Sequence, residues 1–170
     1  FERMGILKGF YPDYMYKSVE DIEENFFKKR DIKYALLDID NTLVPYTVAK
    51  PTASARAFLH RLEQEGVTYC FLSNNNTKRV ELFNEEIKAE CVSDAKKPLL
   101  YGLKKAMARL GAQPQNTVLI GDQIFTDVRT GKRAGIKTVL VEPIEDKETA
   151  FFKFKRAMES IVLKDYRKGH

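Results

Sequence analysis

Two carboxylates one residue apart, Asp38 and Asp40, follow a short apolar run in the segment Asp38-Ile39-Asp40-Asn41-Thr42. Packing gives no reason for such a pair, and a chain that curls beyond a strand can point both into one cleft. Further polar groups punctuate the chain at Ser73-Asn74-Asn75, Lys96-Lys97-Pro98, and Gly121-Asp122 followed by Thr126-Asp127. Carboxylates gathered without histidine favour a hard, oxygen-seeking cation, for which Mg²⁺ is the natural candidate. With a lysine and a hydroxyl added, the set suits phosphoryl transfer. A carboxylate nucleophile is repelled by a phosphate, and a bound Mg²⁺ bridging the two would cancel much of that repulsion. One aspartate can then carry the phosphoryl group covalently while its neighbour serves as general acid and later as base. Lys97 and the Ser73 hydroxyl would stabilise the group in transfer electrostatically.

These residues need a frame that brings them together. YALLD (Tyr34 to Asp38), VTYCFL (Val67 to Leu72), TVLIG (Thr117 to Gly121) and KTVLV (Lys137 to Val141) read as buried parallel strands. Glu90 to Ser93 reads as a further short one. From Thr52 to Glu65 the residues Ala55, Phe58, Leu59 and Leu62 share a helical face, and Gly66 suits the stop. From Pro98 to Leu110 the stripe is Leu100, Leu103, Met107 and Leu110, ended by Gly111. A third helix covers Thr77 to Lys88, and a short one follows Asp127. This alternation predicts an α/β fold: a Rossmann-like domain with a parallel central sheet flanked by helices. Ligands in such sheets bind at the carboxyl ends of the strands, where the polar groups fall.

In their order along the chain, DIDNT, the strand-terminal Ser73, Lys97-Pro98 and Gly121-Asp122 with Asp127 resemble the four-motif signature of haloacid-dehalogenase-type (HAD) phosphatases. More narrowly, LLDIDNTLVPY, LSNNN, KKP and IGDQIFTDV resemble the bacterial YqeG-like branch of subclass IIIA, itself similar to mitochondrial phosphatidylglycerophosphate phosphatases. The resemblance implies Asp38 as nucleophile and Asp40 as acid and base, with the Asp40 backbone carbonyl on the metal. It implies Ser73 on the phosphate, Lys97 on nucleophile and phosphate, Asp122 on Mg²⁺, and Asp127 in or beside the metal shell. Thr42 would help to fix the loop. A lone strand-end aspartate is usually a turn or cap residue; here the ordered set carries the reading. Asn74 and Asn75 either tolerate an awkward loop conformation or reach phosphate with their amides. Lys96 is expected to be solvated, His60 and His170 exposed and idle, and Arg129, Lys132 and Arg133 a solvated face. A response-regulator receiver also uses an aspartate, a lysine and Mg²⁺. It lacks a carboxylate two residues past its acceptor and draws its acidic pair from the first strand, so the enzyme reading is preferred.

With 170 residues, 44% of them hydrophobic and 31% charged, the chain suits a single globular domain spanning 1–170, its motifs within about 31–145. No apolar run is long enough to span a bilayer, and no cleavable leader is expected. Its two cysteines, Cys70 and Cys91, form no disulfide framework or zinc pattern, so a cytoplasmic setting is expected. The net charge of +5 favours anionic partners, with no nucleic-acid motif to make them nucleic acid. From Thr42 to Ser73, and again to Lys97, the predicted elements leave no room for an inserted cap domain. An uncapped site suits a substrate that covers the cleft itself, such as a lipid head group at a membrane, a protein or a polymer; the resemblance implies phosphatidylglycerophosphate. A soluble metabolite or phosphoprotein is the alternative, an oligomer partner could serve as lid, and the oligomeric state stays open. Two flanks lie outside the pattern. Ser18 to Arg30 opens with a capping pattern (Ser18, Asp21) and carries Val19, Ile22 and Phe26 on one face. Glu148 to Lys164 places Phe151, Phe154, Met158 and Ile161 at helical spacing among Lys153, Lys155, Arg156 and Lys164. This segment and the aromatics Phe10, Tyr11, Tyr14 and Tyr16 either pack on the sheet or meet a membrane surface.

Overall fold

In the computed structural model, which describes residues 2–145 and 150–169, the chain forms a parallel sheet between two layers of helices. The strands are β1 (Tyr14–Tyr16), β2 (Tyr34–Leu37), β3 (Thr68–Leu72), β4 (Glu90–Val92), β5 (Thr117–Gly121) and β6 (Lys137–Val141). They are ordered β1-β6-β5-β2-β3-β4, and every pair is parallel. The helices are α1 (Glu2–Lys8), α2 (Phe26–Lys29), α3 (Ala53–Gln64), α4 (Thr77–Asn84), α5 (Tyr101–Leu110), α6 (Arg129–Ala134) and α7 (Ala150–Gly169). No separate cap domain interrupts these elements among the described residues.

Alternation along the strands divides the core. Ala35, Leu37, Phe71, Val118 and Ile120 face one side, against Phe58, Leu59 and Leu62 of α3, Val80 and Phe83 of α4, and Phe26 and Phe27 of α2. Leu36, Cys70, Leu72 and Leu119 face the other, against Leu103 and Ala106 of α5. Side chains one residue apart point to opposite faces of a strand, so a wholly apolar run is what a two-sided sheet requires. Local signals place the helix ends. The Thr52 side chain accepts from the Ala55 N–H at the start of α3, and Asn76 does the same for Arg79 in α4. Helix α5 stops at Gly111, whose φ of 66° is left-handed.

One segment departs from the sequence reading, and the two flanks it left open differ from each other. Ser18 to Arg30 is not one helix but a 3₁₀ turn at Val19–Asp21 and the short α2, because Asn25 between them takes φ 61°. Ser18 donates to the Asp21 carboxylate instead of capping the backbone. The N-terminal aromatics pack rather than face outward: Tyr14–Met15–Tyr16 forms edge strand β1 on β6. Tyr14 and Phe26 meet edge to face at 5.0 Å, and the Arg30 guanidinium lies 4.0 Å from the Phe26 ring centroid. Phe10 packs on Phe125, and Tyr11 on Tyr166. The C-terminal helix does the reverse: Phe154, Met158 and Ile161 are exposed, and Glu159 and Val162 turn inward. Glu148, the side chain of Phe151 and His170 lie outside the described residues.

Candidate active site

Strand order reverses between β2 and β5. From β2 the chain moves outward through β3 and β4, then returns to β5 and runs out to β6 on the other side. Loops leaving two such strands diverge and open a crevice at their carboxyl ends. Asp38 follows β2 directly, its N–H donating 3.0 Å to the Ile120 carbonyl, and Asp122 follows β5. Beyond Asp38 the chain folds back, with Asn41 at φ 61° and its N–H donating 2.7 Å to Val44 O. The Asn41 carboxamide ties this loop to the backbone of Glu145. After β5 a π-type turn over Ile124–Val128 brings Asp127 back over the strand end. There the Asp127 carboxylate accepts from the Gln123 N–H at 3.1 Å. A β-carbon on Gly121 would sit 2.2 Å from Asp127 Cγ, so only glycine admits this approach.

Asp38, Asp122 and Asp127 are all buried, and each offers an oxygen within 4.8 Å of the others. Lys97, only 5% exposed, donates from Nζ to Asp38 Oδ1 at 3.0 Å, Asp127 Oδ1 at 2.5 Å and the Leu72 carbonyl at 2.8 Å. Burial pushes the Asp38 carboxyl up to about 7, with the charge of Asp122 adding to the rise and Lys97 opposing it. Burial likewise raises Asp122, with Asp127 adding, and raises Asp127, with Asp38 adding. Burial alone would lower Lys97, but the charges of Asp127 and Asp38 outweigh it and leave the ammonium above its usual range. The Thr42 hydroxyl faces Asp38 Oδ2 at 3.0 Å and Asp122 Oδ1 at 3.2 Å and can donate to only one at a time. Oxygens so crowded call for a proton or a cation between them, and this donor set fits a hard metal ion.

The remaining sequence-predicted residues sit around this centre. Ser73, 1% exposed, directly follows β3, its Oγ accepting from the Asn75 N–H at 3.0 Å. The Asp40 carboxylate stands outside the three-aspartate group. Asn74 departs from the expected phosphate contact, because both ends of its carboxamide are engaged by the Lys97 backbone, at 2.7 and 3.0 Å. It fixes the loop that carries the lysine. Lys96 is exposed at φ 56°, and His60 is exposed beside Glu63.

Sequence reasoning missed the roles of two arginines. Arg79 donates from Nε and Nη2 to Asp40 Oδ1 at 3.1 and 3.0 Å, while Asn75 donates to Oδ2 at 3.0 Å. The same guanidinium holds the Val48 and Ala49 carbonyls at 2.6 Å, tying the Asp40 loop to α4. Arg156 of α7 donates to Asp122 Oδ2 at 2.9 Å and to its carbonyl at 3.0 Å. No spacing in the sequence pointed to either; Arg79 is two residues inside α4, and Arg156 is one of many cations in α7.

Comparison with known proteins places the chain in a family. An HAD-hydrolase-like family model matches residues 95–161. Over 164 residues the chain is 32% identical to the "Probable phosphatase YqeG" of Bacillus subtilis, covering 96% of this chain and 95% of that one. It is 28% identical over 103 residues to the glyceraldehyde 3-phosphate phosphatase of Pyrococcus furiosus, covering 55% of this chain and 43% of that protein. With phosphatidylglycerophosphate phosphatase 1, chloroplastic/mitochondrial, of Arabidopsis thaliana it shares 26% identity, over 93% of this chain and 49% of that protein. A crystal structure of an uncharacterized protein from Listeria monocytogenes serotype 4b shares the fold, with TM-score 0.56 at 16% identity over 69% of this chain and 85% of that one. Likeness to YqeG over nearly the whole of both chains, with the fold of such hydrolases, shows that the chain belongs to the HAD-like hydrolases, in the YqeG branch, and is a phosphoric monoester hydrolase.

Proposed function

We propose that the chain hydrolyses a phosphomonoester through a phosphoaspartate on Asp38 with Mg²⁺ as cofactor, and that its substrate is phosphatidylglycerophosphate. The observation that carries the chemistry is the convergence of three buried aspartates beside buried Lys97 where the strand order reverses. Asp38, Asp122, Asp127 and the Asp40 carbonyl would hold the ion. Bound there, Mg²⁺ supplies the positive charge that lets an anionic nucleophile approach an anionic phosphate. An Asp38 oxygen attacks phosphorus, the new O–P bond forms, and the ester P–O bond breaks. Asp40, in its acid form, gives the leaving alkoxide its proton. As a carboxylate, Asp40 then takes a proton from water, whose oxygen attacks phosphorus and displaces Asp38, releasing inorganic phosphate. Lys97 orients Asp38 and, with Ser73, offsets charge on the group in transfer. Asn74 keeps the Lys97 backbone in place, and Arg79 with Asn75 keeps Asp40 at the mouth of the site.

The lipid substrate is supported by the resemblance to the Arabidopsis phosphatase and by the lack of a cap domain among the described residues. The test is phosphate release from phosphatidylglycerophosphate in mixed micelles, beside glyceraldehyde 3-phosphate and other soluble phosphomonoesters. Activity should vanish in EDTA and return with Mg²⁺. Asp38→Asn should be inactive while folded, and Asp40→Asn slower by roughly 10²–10⁴-fold. Near-normal turnover by folded Asp38→Asn, or rescue by Zn²⁺ alone, would overturn the chemistry. Higher kcat/KM on soluble esters than on the lipid would overturn the substrate and leave the chemistry standing.

A further inference from the structure

Helix α7 turns two unlike faces to its surroundings. Its inner face grips the active-site loop: Lys155 donates to the Gln123 side chain and Arg156 to Asp122 at 2.9 Å, while Val162 and Leu163 join the apolar cluster of Leu7, Phe10 and Leu140. Its outer face is apolar where a solvated helix would be polar. Phe154 is 65% exposed, Met158 42% and Ile161 55%, at spacings of four and three residues that align them in one stripe. Lys153, Lys164 and Lys168 are exposed beside it.

The fully exposed charges on this face have one sign. Between residues 153 and 169 no exposed position is acidic. Of the two acids of that span, Glu159 is 3% exposed and pairs with Arg156, and Asp165, which follows Ile161 along the stripe, is half-buried and accepts from the Tyr11 hydroxyl. An apolar stripe edged by lysines is what lies flat in the boundary of an anionic bilayer, with side chains below the head groups and ammonium groups among the phosphates. The helix carries too many charges to cross a membrane, and no described helix is long and apolar enough to do so. A symmetric contact with a second copy through this face would set lysines against lysines. A nucleic acid would gain nothing from the stripe.

We propose that the outer face of α7 docks the protein on anionic lipid bilayers. Docking there would seat the phosphatase beside lipid phosphomonoesters, with the helix that touches the bilayer also gripping Asp122. The inference rests on the lipid reading for its purpose and on the two faces of α7 for its evidence.

The test is co-sedimentation of the full chain with phosphatidylcholine vesicles, with and without phosphatidylglycerol, at low and high salt. These vesicles contain no phosphomonoester, so binding is read independently of turnover, and failure of the lipid substrate would leave this result untouched. Binding should need phosphatidylglycerol and weaken at high salt. Phe154→Ser/Met158→Ser/Ile161→Ser and Lys153→Glu/Lys164→Glu/Lys168→Glu should each cut it at least tenfold, with Tm and turnover of a soluble phosphomonoester unchanged. If the triple serine variant unfolds, the lysine variant, which alters only exposed side chains, decides. No sedimentation with phosphatidylglycerol vesicles at low salt would overturn the proposal. Binding that neither variant reduces would do the same, as would a dimer that the serine variant dissolves.

Discussion

At the scale of single residues, the proposed catalysis depends on how each carboxylate is held. Asp38 is kept in the nest by Lys97 and Thr42, whereas Asp40 is drawn outward by Arg79 and Asn75. Lys97 is the only lysine touching the group among the described residues, and its loss would leave Asp38 and Asp127 buried without their cation. Breaking one side of such a buried pair costs about 3–5 kcal/mol, so Lys97→Met should both lower Tm markedly and abolish turnover. Arg79 is argued to act through Asp40 and not on the phosphate. Arg79→Met should therefore lower kcat on the order of 10²-fold, the scale of a misplaced acid, with KM for a small ester little changed. In an Asp40→Asn background the same substitution should cost almost nothing more, since the group it positions is gone. Additive losses in that cycle would make Arg79 a structural or phosphate-binding residue instead.

At the scale of elements, the strand-and-loop geometry sets what the loops can present. Gly121 ends β5 against the Asp127 carboxylate, with a would-be β-carbon 2.2 Å from Cγ. Gly121→Ala must push the π-type turn outward, so Mg²⁺-dependent activity should fall at least tenfold with the overall secondary structure intact by circular dichroism. Normal activity would mean that Asp127 can move away without loss. The elements around this glycine were legible because buried parallel strands are short, wholly apolar and end where the polar residues begin, as TVLIG and YALLD do. Helix α3 was legible from Thr52, Gly66 and four apolar positions that are all buried. Edge strand β1 was not, because three residues, YMY, show no period and become a strand only by pairing with β6. The break at Asn25 was hidden because the apolar spacing of Val19, Ile22 and Phe26 is the same for a helix and for a chain that turns between them. The arginines were out of reach for a related reason: Arg79 lies 39 residues from Asp40 and Arg156 lies 34 from Asp122. Only the folded sheet brings those charges together, whereas each motif is contiguous in the chain. The exposed stripe of α7 shows the limit of periodicity, which finds an apolar face without saying what covers it.

At the scale of the whole molecule, the candidate site is a liability that the proposed cation would relieve. Asp38 titrates near 7 in the fold against 3.8 for the free side chain, chiefly through burial, and Asp122 and Asp127 are shifted the same way. A carboxyl with a raised folded pKa binds its proton more tightly when folded. Its contribution to stability is thus fully present below about pH 4 and is lost as the pH rises through about 7. Glu159, also raised by burial, has the same sign, whereas Glu23, lowered by the Tyr16 hydroxyl, acts below the neutral range. A net charge of +5 works oppositely, because self-repulsion eases as the pH rises. Comparing the protein with and without metal at each pH removes that common background. A cation among the three aspartates replaces the protons they would otherwise need, and protons compete with it for the same oxygens. Millimolar Mg²⁺ should therefore raise Tm by several degrees at pH 8, at about 2–4 °C per kcal/mol for a chain of this size, and by little at pH 5. Asp122→Asn should remove most of the Mg²⁺ effect at pH 8 and also raise the metal-free Tm there, since one buried negative charge is gone. Scanning calorimetry in EDTA and in Mg²⁺ reads both. An equal Mg²⁺ shift at the two pH values would mean that the ion binds elsewhere, or that these carboxylates are already ionised at pH 5.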